Sequence, residues 1–373
     1  MKTSHRVHIG DSRDMSFLSE GCVQMVLTSP PYPMIGMWDE TFAALSPEAK
    51  AALERSDGRG AFEAMHRALD PVWREACRVL APGGVACINI GDATRTVAGG
   101  FMLYPNHARI LTCLMELGMT PLPAILWRKQ TNAPNKFMGS GMYPAGAYVT
   151  LEHEYILVLR KGRKREFLTS AEKKRRRESA IFWEERNEWY SDVWTALKGA
   201  RQRLHDERSR RRSGAFPFEL AYRLINMFSV KQDVVLDPFL GTGTTARAAA
   251  AAGRSSIGCE IDPALCHTVF ADPSGLVQAG RQQVRERIAR HMSFVHQCRA
   301  TGRELKHTNR FYGFPVITRQ EVELVLDLPT SVLDVAADGF QMAYTQESTG
   351  DEASAPPRSP EPPPGADRQL KMF

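Results

Sequence analysis

Paired cysteines are missing from this sequence. Its seven (Cys22, Cys77, Cys87, Cys113, Cys259, Cys266 and Cys298) are widely scattered, with no Cys-x-x-Cys spacing. A structural zinc site or a disulfide framework needs its ligands in close pairs, so neither is expected. The cysteines read instead as small buried apolar residues in a reducing compartment. Missing too is any apolar run near the roughly 18 residues of a membrane helix. The opening stretch, Met1–Asp11, has none of the apolar character of a secretory signal. A cytoplasmic chain with no membrane partner is expected. No Gly-Lys-Ser/Thr follows a glycine-rich turn, which excludes a phosphate-binding P-loop. Internal repeats are absent. Glu152-His153-Glu154 has metal-ligand residue types, but nothing else in the chain has ligand spacing. It reads as a strand end, and no metal is expected.

What is present is globular: 43% hydrophobic and 24% charged residues in a chain of 373, enough for one large domain or two ordinary ones. Lys+Arg (48) exceed Asp+Glu (42), a net +6 that is unevenly spread. Residues 160–213 hold 18 basic and 9 acidic side chains, a local +9 that leaves −3 for the rest. This block contains Lys173, Lys174, Arg175, Arg176, Arg177 and Arg210, Arg211, Arg212, interleaved with Phe182, Trp183, Trp189, Tyr190 and Trp194. Such a stretch concentrates phosphate-binding charge, and its aromatics either stack on bases or pack a small core beneath a solvated helix.

On either side of the block, strands alternate with helices. Val7–Ile9 and Val23–Leu27 read as strands, and Phe62, Met65, Leu69, Val72, Trp73, Ala76, Val79 and Leu80 follow helical spacing up to a stop at Pro82-Gly83-Gly84. Val85–Ile90 is a strand, residues 105–117 a helix, and Leu122–Trp127 with Tyr155–Leu159 a closing pair of strands. After the block come an apolar helix, Phe218–Phe228, a strand ending in Asp237, the Ala-rich helix Thr244–Ala252, and a strand ending in Glu260. This alternation argues for an α/β fold, a mostly parallel sheet covered on both faces. Residues 264–345 read as largely helical, and the Pro-rich tail 346–373 as disordered.

Two motifs carry chemistry. In Val234–Thr245 a buried strand enters the turn Phe239-x-Gly241-x-Gly243, which opens a helix, and Glu260 follows Gly241 by 19 positions at the next strand end. Glycines there let the backbone approach a ligand, and an acidic residue at that spacing grips ribose hydroxyls. The same pattern satisfies a loose dinucleotide fingerprint, so a nicotinamide-dependent oxidoreductase is one reading. The other motif, Thr28-Ser29-Pro30-Pro31-Tyr32, ends a strand. Successive prolines fix the carbonyls before them. One rigid carbonyl with the Ser29 hydroxyl can accept both hydrogens of an exocyclic amine, while Tyr32 stacks on the ring that bears it.

Together the motifs resemble the S-adenosylmethionine-dependent DNA amino-methyltransferases of the circularly permuted beta class. In that group Ser/Asp/Asn-Pro-Pro-Tyr precedes a target-recognition region, and Phe-x-Gly-x-Gly follows it. Gly10-Asp11-Ser12, Leu80–Gly84, Gly91-Asp92, Trp127-Arg128-Lys129 and Phe216-Pro217-Phe218 extend the likeness over residues 5–265. The resemblance implies a Rossmann-like domain with the catalytic half in 1–132, a recognition region with the basic insertion in 133–215, and the cofactor half in 216–270. A helical extension, 271–345, and the tail lie outside it. It also implies that Asp237, Phe239, Gly241, Gly243, Glu260, Asp11 and Phe218 hold S-adenosyl-L-methionine. Thr28, Ser29, Pro30, Pro31 and Tyr32 would hold a base flipped from double-stranded DNA, since a stacked base presents its amine poorly.

Ser before Pro-Pro accompanies cytosine N4 methylation in the resembling group, whereas Asp or Asn accompanies adenine N6. Cytosine C5 methylation is not expected, because no Pro-Cys supplies its nucleophile. The leading expectation is a cytosine-N4 methyltransferase of a restriction–modification system, with an endonuclease cutting the same site as its counterpart. Adenine N6 methylation and a non-catalytic DNA-binding protein are the other readings. Lys173–Arg177 and Arg210–Arg212 are the expected phosphate contacts, with Gln130, Asn132, Asn135 and Lys136 as candidate base contacts.

Overall fold

The computed structural model describes residues 1–129, 141–197, 216–269, 272–336 and 338–346. Arg210–Arg212, Gln130, Asn132, Asn135, Lys136 and the tail beyond Gln346 lie outside these residues.

In chain order the elements are β1 (Lys2–Ile9), β2 (Val23–Thr28), α1 (Asp39–Leu45), α2 (Pro47–Glu54), α3 (Gly58–Val79), β3 (Leu80–Ile90), β4 (Ala93–Val97), β5 (Gly100–Tyr104), α4 (Asn106–Glu116), β6 (Met119–Arg128) and β7 (His153–Lys161). Then follow α5 (Ser170–Glu178), α6 (Trp183–Trp189), β8 (Val193–Trp194), α7 (Phe218–Phe228), β9 (Val234–Asp237), α8 (Thr244–Ala251), β10 (Ser255–Glu260), α9 (Pro263–Val269), α10 (Pro273–Ala300), β11 (His307–Thr308), β12 (Pro315–Val316), β13 (Leu328–Ala336) and β14 (Gly339–Thr345). Ten strands form one sheet in the order β13-β14-β1-β10-β9-β2-β3-β7-β6-β8. Its centre, β1-β10-β9-β2-β3, is parallel throughout. β7 runs antiparallel between β3 and β6.

Alternation along the strands decides which side chains go where. Val26, Ile88, Leu157, Leu159 and Leu236 point to one face, under Met65, Leu69, Trp73 and Ala76 of α3 and Ile110 and Leu114 of α4. Their neighbours Met25, Leu27, Cys87, Ile156, Val158 and Val235 point to the other, under Leu220, Leu224 and Ile225 of α7 and Ala248, Ala249 and Ala251 of α8. Burial of each large side chain contributes roughly 1.5–3 kcal/mol. The expected mostly parallel, Rossmann-like sheet with helices on both faces is therefore present, with the permuted order.

Three local expectations need correction. Pro82-Gly83-Gly84 does not stop α3, which ends at Val79; the triplet lies inside β3. It forms an irregularity between the pairs Val23↔Leu80 and Met25↔Val85. Gly83 takes φ +78°, and a Cβ there would stand 2.6 Å from the Arg165 backbone. Nor are residues 264–345 largely helical. Beyond α10, β13 and β14 form an antiparallel hairpin that extends the sheet through the pairing of β14 with β1. The basic block and the C-terminal extension, expected as separate regions, share a core: Phe182 packs with Val284, Ile288, Phe314 and Leu324. Arg287 donates to both oxygens of Glu185 at 2.7 and 2.6 Å, all buried.

Candidate active site

A doubly wound sheet binds ligands at the carboxyl ends of its strands, where the connections diverge. Here that point lies between β9 and β2. From β9 the chain passes through α8 to β10 on one side; from β2 it passes through α3 to β3 on the other. The two motifs, more than 200 residues apart in sequence, thereby meet at one edge: Thr28 Oγ1 donates to Asp237 Oδ1 at 2.6 Å.

Asp237 is the clasp. Thr245 Oγ1 donates to its other oxygen at 2.6 Å, and the Phe239 amide donates to Oδ1 at 3.1 Å. Burial lifts its pKa to about 6, against the opposing pull of these three donors. Gly241 and Gly243 take φ of +54° and +78°, conformations open to glycine. Open space lies above Gly241, where an added Cβ would meet nothing within 4 Å. Glu260 caps the turn: its carboxylate accepts from the Gly241 amide at 2.8 Å and the Asp262 amide at 2.9 Å. Burial raises its pKa, opposed by those same amides. The Phe239 ring instead packs edge-on against Trp73 at 6.0 Å.

Two weaker assignments sit toward the same edge. Asp11 follows β1, whose Ile9 pairs with Glu260. Burial favours its neutral form, but hydrogen bonds from Arg13 outweigh that and hold its pKa below the ordinary value. Phe218 opens α7, which descends to the start of β9; its first residue thus lies about 16 Å up the helix, toward the ligand edge.

On the β2 side, Ser29 is half-buried and Pro30 buried. The Ser29 hydroxyl donates to Tyr32 Oη at 3.1 Å. Tyr32 Oη also accepts from Asn89 Nδ2 at 2.8 Å and donates to Glu154 Oε2 at 3.0 Å. Asn89 donates to the same carboxylate oxygen at 2.7 Å, and Lys129 pairs with the other. Burial, then the charge of Glu154, push the Tyr32 phenol well above its ordinary pKa. Gly91 permits this packing, since a Cβ there would stand 3.0 Å from the Tyr32 ring. Behind it, Asn106 donates to the carbonyls of Pro33 and Gly91 at 3.1 and 3.0 Å.

Glu154 and Asn89 are the site residues that sequence reasoning missed. Glu154 belongs to the triplet read as a strand end, which it is, but the strand ends at the site. Among the described residues no cluster of metal ligands occurs.

The basic run does not join the site. α5 follows the far end of β7, whose Arg160 pairs with Val85 at the start of the straight part of β3. Arg165 grips Asp233, just before β9, at 2.6 and 3.0 Å, and Ser179 Oγ accepts from the Lys231 amide at 2.9 Å. Lys173–Arg177 therefore lie at the amino ends of the parallel strands, the edge opposite Asp237. Arg177 donates to Glu323 at 2.6 Å, and Arg176 lies over the Phe167 ring. Phe182, Trp189 and Trp194 are buried, so they pack a core and do not stack on bases.

The glycine turn is thus clasped to the Ser-Pro-Pro-Tyr strand end at the switch point of a doubly wound sheet. Residues 23–271 match the N6/N4 DNA methylase model, and the chain belongs to that family. Among its relatives is the type II methyltransferase M.MthZI of Methanothermobacter thermautotrophicus, 48% identical over 93% of this chain and 96% of that one. M.MjaI of Methanocaldococcus jannaschii, also a type II methyltransferase, is 47% identical over 70% of this chain and 89% of its own. TTHA0409 of Thermus thermophilus, solved in complex with S-adenosyl-L-methionine, superposes with a TM-score of 0.56 at 32% identity, over 74% of this chain and 93% of that one. Family membership removes the nicotinamide and non-catalytic readings.

Proposed function

We propose that the protein methylates the exocyclic N4 amine of a cytosine flipped from double-stranded DNA, using S-adenosyl-L-methionine, as the protective half of a restriction–modification system. The observation that carries this reading is the Thr28–Asp237 clasp, which holds the strand end bearing Ser29–Tyr32 to the strand that enters the glycine turn. The residues suit the cofactor. The left-handed glycines leave room above the turn, and Glu260 is fixed by two amides as an acceptor for ribose hydroxyls. When bound, S-adenosyl-L-methionine supplies an electrophilic methyl group. Ser29 gives its proton to Tyr32, so its oxygen lone pairs remain available to accept an amine hydrogen. The Pro30 carbonyl, held rigid by the proline that follows it, takes the second hydrogen, and the Tyr32 ring supports the base. Alignment of amine and methyl is the main catalytic service.

Ser at position 29 favours cytosine; adenine N6 is the second reading, since the family covers both amines. Nucleoside mass spectrometry of DNA from cells expressing the protein tests the assignment. N4-methylcytosine is expected. N6-methyladenine would reassign the base while keeping the fold and pocket, and neither product would overturn the reading.

A further inference from the structure

An amine that accepts a methyl group becomes cationic and must release a proton, and the Ser29 hydroxyl that would face it already donates to Tyr32. We infer that Glu154 is the terminal acceptor of that proton, reached through Ser29 and Tyr32. This inference rests on the amino-methylation reading above.

The chain Ser29 Oγ, Tyr32 Oη, Glu154 Oε2 is continuous, with steps of 3.1 and 3.0 Å. Its donors all point one way. Tyr32 Oη already accepts from Ser29 and from Asn89 at 2.8 Å, so its own proton is directed at Glu154. Asn89 donates to both Tyr32 and Glu154, holding the two groups in register. Lys129, over a third exposed and lying 4.5 Å from the centre of the Trp127 ring, closes the far end beside solvent.

The step balances. As the nitrogen lone pair takes the methyl group, one amine proton passes to Ser29 Oγ. The Ser29 hydroxyl proton passes to Tyr32 Oη, and the phenolic proton passes to Glu154 Oε2. The products are a neutral methylated amine, two intact hydroxyls and a carboxylic acid at Glu154, which returns its proton to water beside Lys129. Tyr32 never becomes a free phenolate, consistent with a phenol that resists ionisation. The methylated cation is a strong acid, so a modest base suffices.

The test uses the full-length protein, labelled S-adenosyl-L-methionine and a duplex that the wild type methylates. If the wild type transfers nothing to DNA, the functional reading fails before the relay is tested. Glu154→Gln keeps the size and an acceptor for Tyr32 but cannot take a proton; Tyr32→Phe keeps the ring but cuts the relay. Each should slow single-turnover transfer on the order of 10- to 100-fold, with DNA and cofactor affinities unchanged. The double variant should be no slower than the slower single one, because both act on one path. Should Glu154→Gln disturb the fold, Tyr32→Phe, which removes only a hydroxyl, reads the same relay. A wild-type rate in either single variant, or a double loss equal to the product of the two, would overturn the assignment.

Discussion

At the scale of single residues, the site divides carboxylates by what they accept. Asp237 takes two hydroxyls and one amide and ties strands together, whereas Glu260 takes two amides and keeps its remaining capacity for a ligand. Glu260→Ala should therefore weaken S-adenosyl-L-methionine by about 2–3 kcal/mol, roughly 30- to 150-fold, as charge-assisted hydrogen bonds are lost. Calorimetric titration with wild-type affinity in the variant would remove Glu260 from the cofactor site. Ser29 acts at a different stage. A neutral hydrogen bond strengthened in the transition state is worth about 1–3 kcal/mol, so Ser29→Ala should slow transfer roughly 5- to 150-fold while DNA binding holds. An unchanged single-turnover rate would leave the rigid carbonyl as the amine's acceptor.

Elements were legible where their signal is local. α7 runs from Phe218 to Phe228 as its apolar spacing predicts, and β9 ends on Asp237. Both motifs could be read because each lies within a dozen residues. Glu154 could not, since it meets Tyr32 across 122 positions and only through the pairing of β3 with β7. The β13–β14 hairpin was hidden for the same reason: its reward is pairing with β1, at the other end of the chain. The clearest case is α5. Its charge was visible, but charge says nothing about which end of the sheet a helix caps. Anchored through Arg165 and Ser179 before β9, it lies at the edge opposite the glycine turn. Replacing Arg175, Arg176 and Arg177 with Ala should thus leave the affinity for a short duplex and its salt dependence unchanged. Each phosphate contact truly lost would lower the salt slope by about 0.9; such a drop would return the run to the DNA interface.

Across the whole molecule, two buried histidines make stability depend on pH in a defined window. His5 joins β1 to β10 and β14: its ring nitrogens bond Thr3 Oγ1 at 2.8 Å and Ser256 Oγ at 2.9 Å, and the ring stacks on Phe340. His66 joins α3 to α4 through Asn106 at 3.0 Å. Burial lowers their pKa values from 6.5 to about 3 and about 4. The unfolded chain therefore binds protons that the fold refuses, so stability is full above pH 6.5 and falls as pH drops toward those values. At pH 5 each histidine costs about 2 kcal/mol relative to pH 7. Asp237 opposes them, and Glu260, which burial also raises, acts in the same sense. Raised from 3.8 to about 6, Asp237 takes up a proton in the fold first, returning about 1 kcal/mol at pH 5. Asp11 and Glu75, whose pKa values are depressed below 3.8 and 4.5, lose their contribution only at lower pH. The net expectation is a loss of about 2–3 kcal/mol between pH 7 and pH 5. Denaturant midpoints at the two pH values measure it directly. In Asp237→Asn the compensating proton is gone, so the same interval should cost about 1 kcal/mol more. A variant whose loss matches the wild type would mean that Asp237 is already ionised across that range, and that its clasp on Thr28 and Thr245 is held as a carboxylate.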